Sequence, residues 1–83
     1  MRLPRDVSGT KLAKLLRRHG YDTTRQTGGH LRLSSSIMGP TQHVTVPRHR
    51  SIAVGTLARI VSDVAQYLET DRDELAQRLF GKA

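Results

Sequence analysis

A chain of 83 residues without cysteine, 36% of it hydrophobic, holds one domain around one modest core. It excludes a disulfide framework and a thiolate metal site, which fits a reducing, cytoplasmic setting. Fourteen Lys and Arg against seven Asp and Glu leave a net charge of +7 and a pI of about 11.1, the electrostatic footprint of a nucleic-acid binder.

In chain order, Ser8 or Thr10 caps a first helix. Leu12, Leu15, Leu16 and His19 recur at i, i+3, i+4 and i+7 along one face. Lys11, Lys14 and Arg18 lie on another face, with Arg17 beside them. Gly20 is suited to stop the helix, which leaves His19 at a C-terminus whose dipole favours a protonated side chain. Residues 21–26 read as a strand, supported by Thr23 and Thr24, with Tyr21 assigned to the core. Thr27-Gly28-Gly29 is a tight turn in which glycine supplies a positive φ. His30-Leu31-Arg32-Leu33-Ser34 alternates with period two, a second strand. Residues 35–42 form a loop around Gly39-Pro40, in which Ile37 and Met38 are candidates to touch a partner. His43-Val44-Thr45-Val46 alternates again, and Pro47 ends that strand.

A basic linker, 48–54, leads to a second helix opened by Gly55-Thr56, with Thr56 as its cap. Leu57, Ile60, Val61, Val64, Ala65 and Leu68 give it a wide apolar stripe. Thr70 or Asp71 caps a short third helix; Asp71 with Glu74 has the spacing of a capping box, and Leu75, Leu79 and Phe80 pin it to the core. The expected fold is α+β, one domain over residues 1–83. Its core, about 8–68, runs α-β-β-β-α, and a helical extension covers about 70–80. Three consecutive strands favour an antiparallel meander with both main helices on one face.

Charge and strand parity then locate function. Residues 1–50 carry ten of the fourteen cations against only Asp6 and Asp22, and eleven of the fourteen are Arg, which favours bidentate phosphate contacts. If Leu31, Leu33, Val44 and Val46 face the helices, then His30, Arg32, His43 and Thr45 share the open face. Imidazole titrates near neutrality and can take a proton from a ribose 2′-hydroxyl. Guanidinium can stabilise charge gathering on phosphate oxygens. Carboxylates are too few outside the C-terminal stretch for a two-metal nuclease, no His/Asp spacing suggests a metal cage, and no phosphate-cradling Gly-x-x-x-x-Gly-Lys loop occurs. Residues 1–6 lack the apolar run of a signal peptide, and no stretch approaches the ~18 apolar residues of a membrane span.

Tyr21 followed by Arg25-Gln26-Thr27-Gly28-Gly29-His30, then Val44-Thr45-Val46-Pro47-Arg48-His49, then Gly55-Thr56-Leu57 with Ile60, resembles the HicA toxins. These are small endoribonucleases of bacterial toxin–antitoxin pairs. The likeness runs from about Ser8 to Leu68. It implies a fold like the double-stranded-RNA-binding domain, mRNA cleavage without a metal or other cofactor, and inhibition by a HicB-like antitoxin. It also implies that the catalytic histidine directly follows the glycine turn, which here is His30. The middle residue of that turn is often serine in the family, where this chain has Gly29, and the helix at 71–80 is less typical.

The RNA-contacting set expected around His30 is Gly28, Gly29, Arg32, Arg48, His49, Arg50, Lys11 and Lys14. His49 is assigned to a phosphate-binding loop rather than to proton transfer, and His43 to a solvated strand position. The alternative function is a non-catalytic module that binds RNA through shape and phosphates. A DNA-binding regulator lacks an obvious recognition helix.

Overall fold

The computed structural model describes residues 2–81. The first helix, α1 (Gly9–Arg17), begins where Ser8 adopts extended dihedrals and its Oγ accepts the Lys11 N–H at 3.0 Å, leaving one fewer orphan donor in the first turn. Leu12, Ala13 and Leu16 are buried, and fully burying one such leucine stabilises by about 1.5–3 kcal/mol. Gly9 is there for space. Its N–H donates to the His49 carbonyl at 3.0 Å, and a Cβ on it would stand 2.0 Å from the Pro47 carbonyl oxygen. The start of α1 therefore rests directly on the chain leaving the sheet.

After α1, Gly20 turns the backbone at φ +95° and Tyr21 enters the core. Three strands follow, β1 (Asp22–Gln26), β2 (His30–Ser35) and β3 (Gln42–Pro47), in an antiparallel sheet of order β1-β2-β3. Leu31, Leu33, Val44 and Val46 are buried against the helices, while His30, Thr45 and His43 are exposed and Arg32 is half-buried on the other face. The parity expected from alternation holds for β2 and β3. In β1 the register slips between Thr23 and Arg25. Thr23 pairs with Leu33 and Gln26 with Leu31, whereas Arg25 pairs with Arg32. One extra residue in the strand thus rephases it, as a β-bulge does.

The second helix, α2 (Val54–Leu68), packs Leu57, Ile60, Val61, Val64 and Ala65 into the core, and Leu68 is half-buried. It starts earlier than the glycine-threonine pair suggested. Ala53 is the cap, no side chain bonds the first turn, and Thr56 lies inside the helix. The reason is upstream: Ile52 is buried and its N–H donates to the Val7 carbonyl at 2.8 Å, which aims the chain before Val54. At the other end Glu69 takes the left-handed conformation at φ 56°. Its N–H donates to the Gln66 carbonyl at 3.2 Å and the Thr70 N–H to the Ala65 carbonyl at 3.0 Å, the two bonds of a Schellman close.

The third helix, α3 (Arg72–Phe80), is capped by Asp71, whose Oδ2 accepts the Glu74 N–H at 3.0 Å. Glu74 does not return the bond; its carboxylate accepts from Arg78 at 2.7 Å. Leu75, Ala76 and Leu79 join the same buried cluster as α1, α2 and the sheet, and Phe80 packs against it.

Two further expectations are corrected. Gly28 and Gly29 do not have positive φ; the positive-φ glycines are Gly20 and Gly39. A Cβ on Gly28 or Gly29 would meet nothing within 4 Å, so this turn closes without glycine's special dihedrals. His19 lies beyond Arg18, the C-cap of α1, and it shifts against the direction expected from a helix end: partial burial, then the charges of Arg78 and Arg18, push its pKa below the usual 6.5.

Candidate nucleic-acid interface

Hydrogen bonds within the turn between β1 and β2, and from the chain leaving β3, hold the segment that carries His30; the Thr27 hydroxyl donates to the His30 carbonyl at 3.3 Å. The Thr27 N–H donates to the His30 carbonyl at 2.9 Å, and the His30 N–H donates to Thr27 Oγ1 at 3.1 Å. From the neighbouring strand's exit, the Arg48 N–H donates to the Gly29 carbonyl at 2.9 Å and its Nη1 to the Thr27 carbonyl at 3.3 Å. The turn is thereby tied to β3 as well as to its own strands, and Gly28 and Gly29 stand out from it with open space on the side a Cβ would occupy.

His30, the first residue of β2, lies on the open sheet face. It shares a shallow depression of about 230 Å³ with Arg25, Thr27, Arg32 and Thr45. Arg32 and Thr45 are cross-strand partners, as are Arg32 and Arg25. Two guanidiniums and two hydroxyls therefore share the hollow with one imidazole, and no carboxylate lines it. Such a set can accept a proton and gather an anion at the same place. Larger hollows, about 560 and 360 Å³, flank the N-terminal segment and α3 around Pro4 and Phe80, and no histidine lines them.

The residues expected at the interface divide into groups. His30 and Arg32 come together, with Gly28 and Gly29 at the rim. Lys14 and Arg48 line a separate groove on the helix side of β1. Lys11 lies in neither; it borders the hollow that holds Asp6 and Phe80. His49 and Arg50 are exposed on the segment after β3 and line neither the depression nor the groove. Arg25 belongs to the site although alternation counted from buried Tyr21 puts it on the helix face. Its signals in the sequence are that it is another cation next to the turn and that it opens the Arg25–His30 run on which the family resemblance rests.

His43 stands apart. It pairs with Ser34 at the opposite end of β2, four residues and roughly 13 Å along the strand from His30. There Thr24 Oγ1 and Ser34 Oγ are 2.8 Å apart and Ser34 Oγ lies 2.7 Å from His43 Nδ1, with Asp22 opposite Ser34. The open face is thus basic at the turn end and neutral to acidic at the other.

The Ile37–Met38 tip is exposed on a loop held by Tyr67, whose hydroxyl accepts the Met38 N–H at 3.1 Å and reaches the Ser35 and Pro40 carbonyls at 3.1 and 2.5 Å. Among the described residues, no group of three or more His, Asp or Glu gathers where it could share a metal ion, and no helix is long and apolar enough to cross a membrane.

No curated protein and no solved structure matches the chain. The family model described as the HicA toxin of bacterial toxin-antitoxin matches residues 9–66, a span running from the first residue of α1, through the sheet and the His30 depression, to the last turns of α2. On that match, which covers more than half of its length, the chain belongs to the HicA toxin family.

Proposed function

We propose that this toxin is an endoribonuclease that cuts mRNA without a metal, with His30 as general base, and that a HicB-like antitoxin neutralises it. The observation that carries the reading is a solvent-facing imidazole that shares one depression with two guanidiniums, beside a turn whose outer side is open. His30 takes the proton of a ribose 2′-hydroxyl. The 2′-oxygen then forms its bond to phosphorus while the bond from phosphorus to the 5′-oxygen breaks, and the leaving oxygen takes a proton from solvent. Arg25 and Arg32 stabilise the charge that builds on the non-bridging oxygens. The products are a 2′,3′-cyclic phosphate and a 5′-hydroxyl.

His43 is too far along the sheet to serve as the acid in the same step, since both groups must reach one phosphorus. The net charge of +7 supports capture of RNA by long-range attraction, and the same basic surface suits an antitoxin that presents carboxylates.

Turnover of a labelled RNA by the pure protein and by His30→Ala is the test. Cleavage by the wild type alone supports the proposal. Binding without cleavage by either protein leaves the non-catalytic RNA-binding module, and equal cleavage by both assigns the chemistry elsewhere.

A further inference from the structure

The open face offers an RNA strand little beyond the His30 depression. Two residue pairs further along, Asp22, Thr24, Ser34 and His43 bring no cation and one carboxylate. A phosphate backbone that enters beside Arg25 and Arg32 is therefore not drawn along the sheet. The cations lie in another direction, over the glycine turn and behind β1.

There α1 and the edge strand β1 enclose a groove of about 130 Å³, lined by Lys14 and Arg17 from α1, Thr23 and Gln26 from β1, and Arg48, with Thr10, Ala13 and Leu31 completing it. It holds three cations and no carboxylate, and α1 contains no acidic residue. Lys14 and Arg17 by themselves have a simpler explanation, because cations in a helix's last turn offset its dipole. Arg48 does not. It arrives from the end of β3 and is fixed at the groove by its bonds to Gly29 and Thr27, and a guanidinium has five donors, so most remain free for an anion. Thr23 and Gln26 face the groove because the bulge in β1 puts them in register with buried Leu33 and Leu31. The same bulge sends Arg25 to the opposite side, so one backbone irregularity furnishes both hollows.

We propose that this groove is a second phosphate-binding site, which holds a neighbouring phosphate of the RNA strand whose scissile phosphate sits beside His30, the strand crossing the turn at Gly28 and Gly29. This rests on the reading of the His30 depression as an RNA site. The turn suits the crossing because its outer side is open and carries no side chain. Bidentate and point contacts from Arg48, Arg17 and Lys14 fix the strand's register without reading its bases, so cleavage requires an RNA long enough to span both hollows.

The test compares 2′-O-methyl oligonucleotides, which cannot be cut, of two and eight nucleotides. They are titrated against the wild type, a Lys14→Gln/Arg17→Gln double variant and an Arg59→Gln/Arg72→Gln control with the same loss of charge. All four side chains are largely solvent-facing, and glutamine keeps helix propensity. The groove variant should lose at least tenfold in octanucleotide affinity while its dinucleotide affinity stays within twofold of wild type. Its salt dependence should weaken by roughly 0.7 in log–log slope for each phosphate contact removed. The control should bind both like wild type. An octanucleotide loss no larger than the control's, or equal losses for both lengths, overturns the groove while leaving the His30 site standing. A wild type that binds neither oligonucleotide overturns the RNA reading and the groove with it.

Discussion

Thr27 Oγ1 accepts the backbone N–H of His30 at 3.1 Å, so a threonine hydroxyl, and not a glycine dihedral, sets where the candidate base leaves the turn. Thr27→Val keeps the side-chain shape and deletes that acceptor. Stability should fall by about 1 kcal/mol, and RNA cleavage should fall by tenfold or more in a protein that still melts cooperatively, while Thr27→Ser retains both. Unchanged cleavage by Thr27→Val would mean that the bond does not position His30.

His30→Ala should fold like wild type, because the side chain is exposed, and should lose both cleavage and growth inhibition. Wild-type cleavage should persist in excess EDTA, and a substrate with 2′-deoxyribose at the cut should survive. Activity that vanishes with EDTA and returns with Mg²⁺ or Mn²⁺ contradicts the mechanism.

Arg25 and Arg32 flank the same depression. Arg25→Gln and Arg32→Gln should each lower the cleavage rate by about 10²–10³, the range for removing one donor that meets developing charge. Arg32→Glu should in addition slow association with a carboxylate-bearing antitoxin, and the effect should shrink as salt rises and screens beyond about 8 Å. Stopped-flow mixing at two salt concentrations reads this. An association rate untouched at both salts would place the antitoxin on another surface.

Backbone geometry gives two stability predictions of opposite sign. Gly9→Ala puts a Cβ 2.0 Å from the Pro47 carbonyl oxygen, and this overpacking against main chain should cost about 1–3 kcal/mol. Glu69 holds a left-handed conformation at φ 56°, so Glu69→Gly should stabilise by about 1 kcal/mol. Gly28→Ala and Gly29→Ala meet open space and should leave denaturation midpoints nearly unchanged while testing how closely RNA approaches the turn.

Tyr21 supplies a pH signature. Burial, with the Tyr67 ring beside it, pushes its phenol from 10 up to about 12. The fold favours the neutral form, so this contribution is complete below pH 10 and is lost as pH climbs toward 12. Tyr21→Phe should lose melting temperature more gently than wild type across that interval. Parallel curves would show that Tyr21 does not drive the alkaline limb.

Much of this molecule was legible in its residues because local periodicity and burial agree. The stripes of α1 and α2, the alternation in β2 and β3 and the Asp71 cap each need only neighbours a few positions away, and they sufficed for the element order and for placing His30 and Arg32 on the open face. The glycine turn was located correctly but for the wrong reason, since its dihedrals are ordinary and Thr27 does the holding. What the tertiary structure alone decided depends on register and on contacts distant in sequence. A bulge between Thr23 and Arg25 reverses the face of Arg25, and no alternation pattern announces one extra residue. Ile52 bonding to Val7 starts α2 before Thr56, and Arg48 bonding to Thr27 and Gly29 separates it from His49, Arg50 and Lys11. Net charge counts cations but does not say which share a hollow; that is settled by how α1 lies across the sheet, where Gly9 lets the helix rest on the Pro47 carbonyl.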